Sequence, residues 1–150
     1  MIVAILGDYS AAREVHAISS VGGPAVNLQI RQDRYYAAHL LGDLKDPRGI
    51  PVLVSLLKDP DANYIVPWSL GQIGDKSAIE PLIQTLSDRA ANMRVLAIYA
   101  LVELKATEAL PRLRQLLDDN ARSSIYKLES VAEAAQAAIA KLQTETADSS

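Results

Sequence analysis

The chain has 150 residues, 49% of them apolar, with no phenylalanine, one tryptophan and six tyrosines, so its core is built from Ala, Leu, Ile and Val, and Ala and Leu favour helix. A net charge of −3 excludes a broad basic surface for nucleic acid. The absence of cysteine excludes disulfides, thiol nucleophiles and Cys-ligated metal within the chain, in keeping with a reducing, cytoplasmic setting.

In chain order, "MIVAIL" is too short for a signal peptide or a membrane span and resembles the end of an element whose start is missing, so the chain reads either as a small stand-alone scaffold or as a fragment of a longer array. Ala11 to Val21 followed by "GGPAV" reads as a first helix and turn. Val26 lies nine residues before Tyr35, which leaves room only for a clipped second helix in this partial unit, about 1–32.

The next stretch, about 33–60, holds a complete helix–turn–helix. Ala37, Leu40, Leu41 and Leu44 fall at i, i+3, i+4 and i+7, one helix face. The turn "KDPRG" follows, and then Ile50, Leu53, Val54 and Leu57 repeat the spacing. A shift of 29 residues superimposes this block on a second, about 61–89, so that Leu41 meets Leu70 and Gly42 meets Gly71. A further shift of 31 gives a third, about 90–119, where Leu101 meets Leu70. Period-30 self-similarity is the signature of a helical repeat array.

Within the second block Pro67 predicts a kink, or a helix starting one residue earlier. Gly42 and Gly71 predict close helix approach, and Gly74 a left-handed helix end. In the third block Arg114 stands where Val54 and Ile83 are apolar, so it requires a partner, with Glu129 and Asp119 in reach, or an exit to water. An insertion, "NARSSIYKLES" at Asn120 to Ser130, is expected to be mobile or functional rather than structural. "SVAEAAQAAIAKL" is a further first helix, with Ala138, Ile139 and Leu142 in the core slots of a partial unit at about 120–142. Residues 143–150 are expected to be a disordered tail.

"YYAAHLLGDLKDPRGIPVLVSLLKDPD" and "LGQIGDKSAIEPLIQTLSD" resemble the HEAT-like repeats first named for phycobilisome (PBS) lyases. The resemblance covers Tyr35 to Asp119 well and both ends weakly. It implies an all-α, right-handed α-solenoid of about four HEAT-like repeats forming one domain over 1–142. It also implies a concave side lined by the second helices.

Two rows of surface residues follow from the repeat register. The second helices carry Val52 and Ser55, then Glu80 and Gln84, then Arg112 and Gln115, with Arg114 beside them. This mixed, mildly polar row suits a protein partner. The first helices carry His16, His39, Trp68 and Tyr99 in one slot. Trp68 there is either an inter-repeat packing residue or part of a recognition stripe, since Trp is enriched at binding hot spots.

Chemistry is sparse. His16 and His39 are read as having no acidic residue at metal-ligand spacing. The paired His-Glu dipeptides of iron-binding HEAT-like hydroxylases are missing. No glycine pattern matches a phosphate loop, and Ser19 and Ser20 near His16 do not make a triad. The leading expectation is therefore a non-catalytic protein–protein interaction scaffold, binding another protein and no cofactor, metal, nucleic acid or membrane. The resemblance supplies an alternative, a phycobilin lyase subunit or chromophore-handling factor, with a bilin as its ligand. A regulatory subunit of a larger enzyme is a third.

Overall fold

A computed structural model describes residues 24–60, 63–125 and 129–148. The expected helix over Ala11 to Val21, with His16, Ser19 and Ser20, lies outside them. The described residues form seven α-helices in order: α1 (Pro24–Leu44), α2 (Ile50–Leu56), α3 (Val66–Ile73), α4 (Ile79–Thr85), α5 (Ala91–Glu103), α6 (Leu110–Arg114) and α7 (Val131–Asp148). Helices α1, α3, α5 and α7 pack side by side as one layer, and α2, α4 and α6 form the second. Among the described residues there is no strand, only an isolated antiparallel bridge between Arg122 and Ser130. No described helix is long and apolar enough to cross a membrane.

Each unit is built by the same local grammar. The first helix ends on a left-handed residue at Lys45, Gly74 and Lys105, one slot repeated three times. Gly adopts this conformation without strain, and it frees the chain to turn after the last carbonyls. In the first two units an aspartate then caps a short 3-10 turn: Asp46 accepts from the Arg48 amide at 3.0 Å and Asp75 from the Ser77 amide at 2.8 Å. Both carboxyls are held below their ordinary value by the residue they cap. The second helix then begins, and Leu53, Leu82 and Leu113 at one slot are fully buried, as are Leu70 and Leu101 on the first helices.

A second repeated device ties the first and third units shut. Arg34 on α1 bonds Asp59, just beyond α2, at 3.0 Å with both side chains almost wholly buried. Arg94 on α5 bonds Asp119 at 2.8 Å in the corresponding place. The middle unit has Asn63 and Asp88 in these slots. Arg94 also donates to the backbone carbonyl of Asp88 at 2.7 Å, so it bridges its own unit to the one before.

The first helices approach closely because small residues face small residues. A Cβ on Gly42 would lie 2.9 Å from the Cα of Ser69, and one on Gly71 would lie 3.4 Å from the Cα of Ala100. The Ser69 hydroxyl reaches the Ala38 carbonyl at 2.8 Å, across the α1–α3 seam. Pro67 sits in the first turn of α3, where its missing N–H leaves no bond unmade. The helix begins one residue before it, as expected.

Several expectations are corrected. Among the described residues no separate short helix lies between Val26 and Tyr35: α1 runs unbroken for 21 residues from Pro24, because Pro24 is at its start and no breaker lies between it and Gly42. Leu40 and Leu44, assigned to the core face by their spacing, are 43% and 56% exposed. The slot of Leu40 is held by Ser69 and Ala100 in the following units, where it faces the preceding first helix, so in α1 it points away from the described stack. Arg114 ends α6 with the exit to water that was one of its two expected outcomes, while Asp119, one of the two partners considered for it, pairs with Arg94. The residues expected to be a disordered tail continue α7 to Asp148, with Glu145 bonded to Lys105 at 3.1 Å.

The insertion is anchored at its base. The Ser123 amide donates to the Glu129 carbonyl at 2.9 Å and the Val131 amide to that of Ala121 at 2.9 Å. Asn92 accepts from the Ser124 amide at 2.8 Å and from the Ser123 hydroxyl at 3.0 Å. Ser130 and Glu133 then make a reciprocal N-terminal cap on α7: the Ser130 amide donates to the Glu133 carboxylate at 2.7 Å, and the Glu133 amide to the Ser130 hydroxyl at 3.1 Å.

Candidate functional site

The first-helix layer carries an aromatic row and, four residues later on each helix, a polar row. The aromatic slot holds His39, Trp68 and Tyr99, and the polar slot holds Asp43, Gln72 and Glu103. A spacing of four places the two rows on the same helix face. On α7 the corresponding residues are Ala137 and Lys141, so the aromatic row stops and the charge of the polar row reverses.

At the α1 end the row is closed. The imidazole of His39 lies on the indole of Trp68, with ring centroids 4.5 Å apart and planes 22° from parallel. Tyr35, one turn earlier, lies 6.5 Å from His39. The His39 Nδ1 is 3.1 Å from the carboxylate of Asp43, four residues on, which corrects the reading that this histidine has no acidic residue at metal-ligand spacing. Gly42 makes the stack possible, since a Cβ there would come within 2.9 Å of the Trp68 ring.

At the α7 end the row is open. A groove of ≈ 350 Å³ lies between α3, α5 and α7, walled by Trp68 and Tyr99 and floored by Ala137 and Ala138. Glu103 and Lys141 stand at its rim. Trp68, half-buried, packs across the α1–α3 seam, the first of the two alternatives read from the sequence, and its ring also lines the groove. The groove's polar members are not legible from single slots followed along the units; the i+4 relation to the aromatic row is the signal that finds them.

The second-helix layer has a groove of ≈ 690 Å³, in which Ser55 and Gln84 come together beside Pro81 and Arg89. The Gln84 amide donates to Glu80 at 3.4 Å. Arg112 bonds the Ser87 hydroxyl and the Gln115 side chain. Val52 is half-buried against the core and its carbonyl accepts from Ser55 at 2.6 Å. Arg114 lies outside this groove.

Stacking surfaces, a carboxylate and an ammonium around an apolar floor suit a flat, conjugated, ionisable ligand. Among the described residues no three of His, Cys, Asp or Glu gather in a metal-holding group.

Comparison with known proteins extends this picture. The family model for HEAT repeats matches residues 64–140, and that for the PBS lyase HEAT-like repeat matches residues 33–59. The phycocyanobilin lyase subunit alpha of Synechococcus elongatus is 38% identical over 97 residues, covering 57% of this chain and 36% of that protein. The bilin biosynthesis protein PecE of a Nostoc species is 37% identical over 87 residues, covering 56% of this chain and 34% of PecE. The chain therefore spans about a third of the length of these curated relatives. The structure of the complex of CpcE and CpcF of phycocyanin lyase from Nostoc aligns with a TM-score of 0.64 at 24% identity, over 86% of this chain and 58% of that one. At that identity the likeness shows the fold alone. The expectation of a non-catalytic scaffold is corrected by these relatives, whose names are those of a lyase subunit and a bilin biosynthesis protein. They favour the alternative reading.

Proposed function

Because the chain belongs to the HEAT-repeat family, we propose that it works in the cytoplasm on a phycobilin, as a lyase subunit or chromophore-handling factor acting together with a second protein. The observation that carries this reading is the 38% identity to a phycocyanobilin lyase subunit over more than half of the chain. The structural neighbour is one member of a complex of two proteins, which supports a protein partner. In this reading the repeats form one domain, and the second-helix face, with Val52, Ser55, Glu80, Gln84, Arg112, Arg114 and Gln115, meets the partner. The aromatic row of His39, Trp68 and Tyr99 stays with the chromophore. These 150 residues hold no cysteine, so any thiol that receives a bilin lies outside them.

The test is direct. Phycocyanobilin added to the purified chain should change its visible absorption as its conformation is restricted. Adding the chain to bilin, an apo-phycobiliprotein and the partner should increase the colour that stays with the carrier on a denaturing gel. Unchanged absorption together with unchanged attachment would refute the reading.

A further inference from the structure

We infer that the groove between α3, α5 and α7 is a binding site for one end of a linear tetrapyrrole, an assignment that rests on the bilin reading above. Four features of the groove match that ligand. Its volume of ≈ 350 Å³ is at the low end for small-molecule sites, enough for part of an extended chromophore. Its floor is alanine, with Ala137 and Ala138 leaving a flat apolar bed, and conjugated pyrrole rings gain from apolar burial and from the ring faces and edges of Trp68 and Tyr99. Glu103 is exposed at one rim, and a carboxylate there accepts from pyrrole N–H groups, more strongly when the pyrrole is protonated. Lys141, exposed at the other rim, makes no ion pair among the described residues, so its ammonium is available to a propionate carboxylate.

The repeat register explains why the cleft is here. In the three preceding first helices the slot of Ala137 holds His39, Trp68 and Tyr99, and the slot of Lys141 holds Asp43, Gln72 and Glu103. At the α1–α3 seam the row fills its own surface, with His39 stacked on Trp68. At the α5–α7 seam alanine replaces the next ring, and the stack that would have closed the groove is missing. The same helix brings the first positive charge into the polar row.

Trp68 is the chain's only tryptophan, and bilins absorb in the near-ultraviolet where indole emits, so quenching of its emission reads occupancy of the groove. Phycocyanobilin titrated into the wild-type chain should quench this emission in step with the absorption change. Ala137→Tyr, which restores a ring to the row at an exposed helix position, should weaken binding at least about tenfold, or about 1.4 kcal/mol. Lys141→Gln should weaken it by about threefold, the scale of an exposed ion pair, and should have no effect on binding of phycocyanobilin dimethyl ester, whose propionates are neutral. Thermal melts of both variants check that the fold is retained. If the wild-type chain binds no bilin, both the bilin reading and this site fail. If it binds bilin with wild-type affinity in Ala137→Tyr and in Lys141→Gln, the bilin reading stands and the groove assignment is overturned.

Discussion

His39 of α1 lies against Trp68 of α3 at a centroid separation of 4.5 Å, and the contact crosses the seam between two repeats. It joins two helices that otherwise touch through small residues, Gly42 and Ser69. Offset stacking of this kind adds about 0.5–1.5 kcal/mol beyond the area it buries. A double-mutant cycle of His39→Ala and Trp68→Ala, followed by urea denaturation, should give a coupling energy in that range. Trp68→Ala alone should cost about 2 kcal/mol, below the range of about 3–5 for a fully buried aromatic, because the ring is half-buried. A coupling energy of zero would show that the stack contributes nothing to stability.

The two glycines of the first helices should respond oppositely to alanine. At Gly42 the added methyl would press on the backbone of α3, at 2.9 Å from the Ser69 Cα. Gly42→Ala should destabilise by about 1–3 kcal/mol, the usual cost of overpacking. At Gly71 the nearest atom is at 3.4 Å, an ordinary contact. Gly71→Ala should therefore gain about 0.5–1 kcal/mol from helix propensity. Equal effects in chemical denaturation would contradict the difference in seam spacing.

Arg34 and Asp59 are 6% and 5% exposed at the side chain. Breaking a buried pair leaves a charge without its main compensation, at a cost of about 3–5 kcal/mol. Arg34→Met should lose an amount in this range, and Arg34→Met with Asp59→Leu should recover most of it, since an apolar pair of similar size needs no compensation. The middle repeat already manages with Asn63 in the arginine slot. A double variant as unstable as the single one would point to a role for the charges beyond their mutual pairing.

Two carboxylates near the start of α7 should pull stability in opposite directions with pH. The Ser130 amide, and then its hydroxyl, hold the Glu133 carboxyl below its ordinary value of 4.5. A lowered folded-state value means that its contribution is present above the unfolded value and is lost as pH falls through the folded one. Burial, and then the charge of Glu133, push Glu129 above 4.5. Ionising Glu129 therefore costs stability at neutral pH, a cost relieved as pH falls through its raised value. Melting temperatures across the acid range should show a shallower acid loss for Glu133→Gln, which keeps the accepting oxygen. For Glu129→Gln they should show a gain at pH 7 that shrinks in acid. Reversed signs would invalidate the cap geometry.

The repeated slots were legible from sequence because a solenoid's core contacts are local. Leu41, Leu70 and Leu101 recur with the helical period, and each is buried by neighbours within its own and the adjoining unit. Pro67 and Gly74 carried local backbone signals that no tertiary contact overrides: a missing N–H suits a first turn, and a left-handed end suits glycine. Lys45 and Lys105 adopt the same left-handed end without any such signal. The repeat geometry imposes it on them, and its cost is carried by the packing on either side.

What only the tertiary structure decided was how the slots meet across seams. The sequence put His39, Trp68 and Tyr99 in one row but did not say which pairs touch. That depends on helix separation, which Gly42 closes at one seam and Ala137 leaves open at another. Likewise Asp119 could have served Arg114 or Arg94. The short α6 ends with Arg114 facing water, and Arg94 holds the buried position beside the carboxylate, so burial made the choice. The sequence by itself determined the repeat, its core and its turns, because these rest on hydrophobic periodicity and backbone preference within about thirty residues. The stack of His39 on Trp68 and the groove beside it were decided by packing, because the shape of a surface depends on side chains that are neighbours in space and distant in the chain.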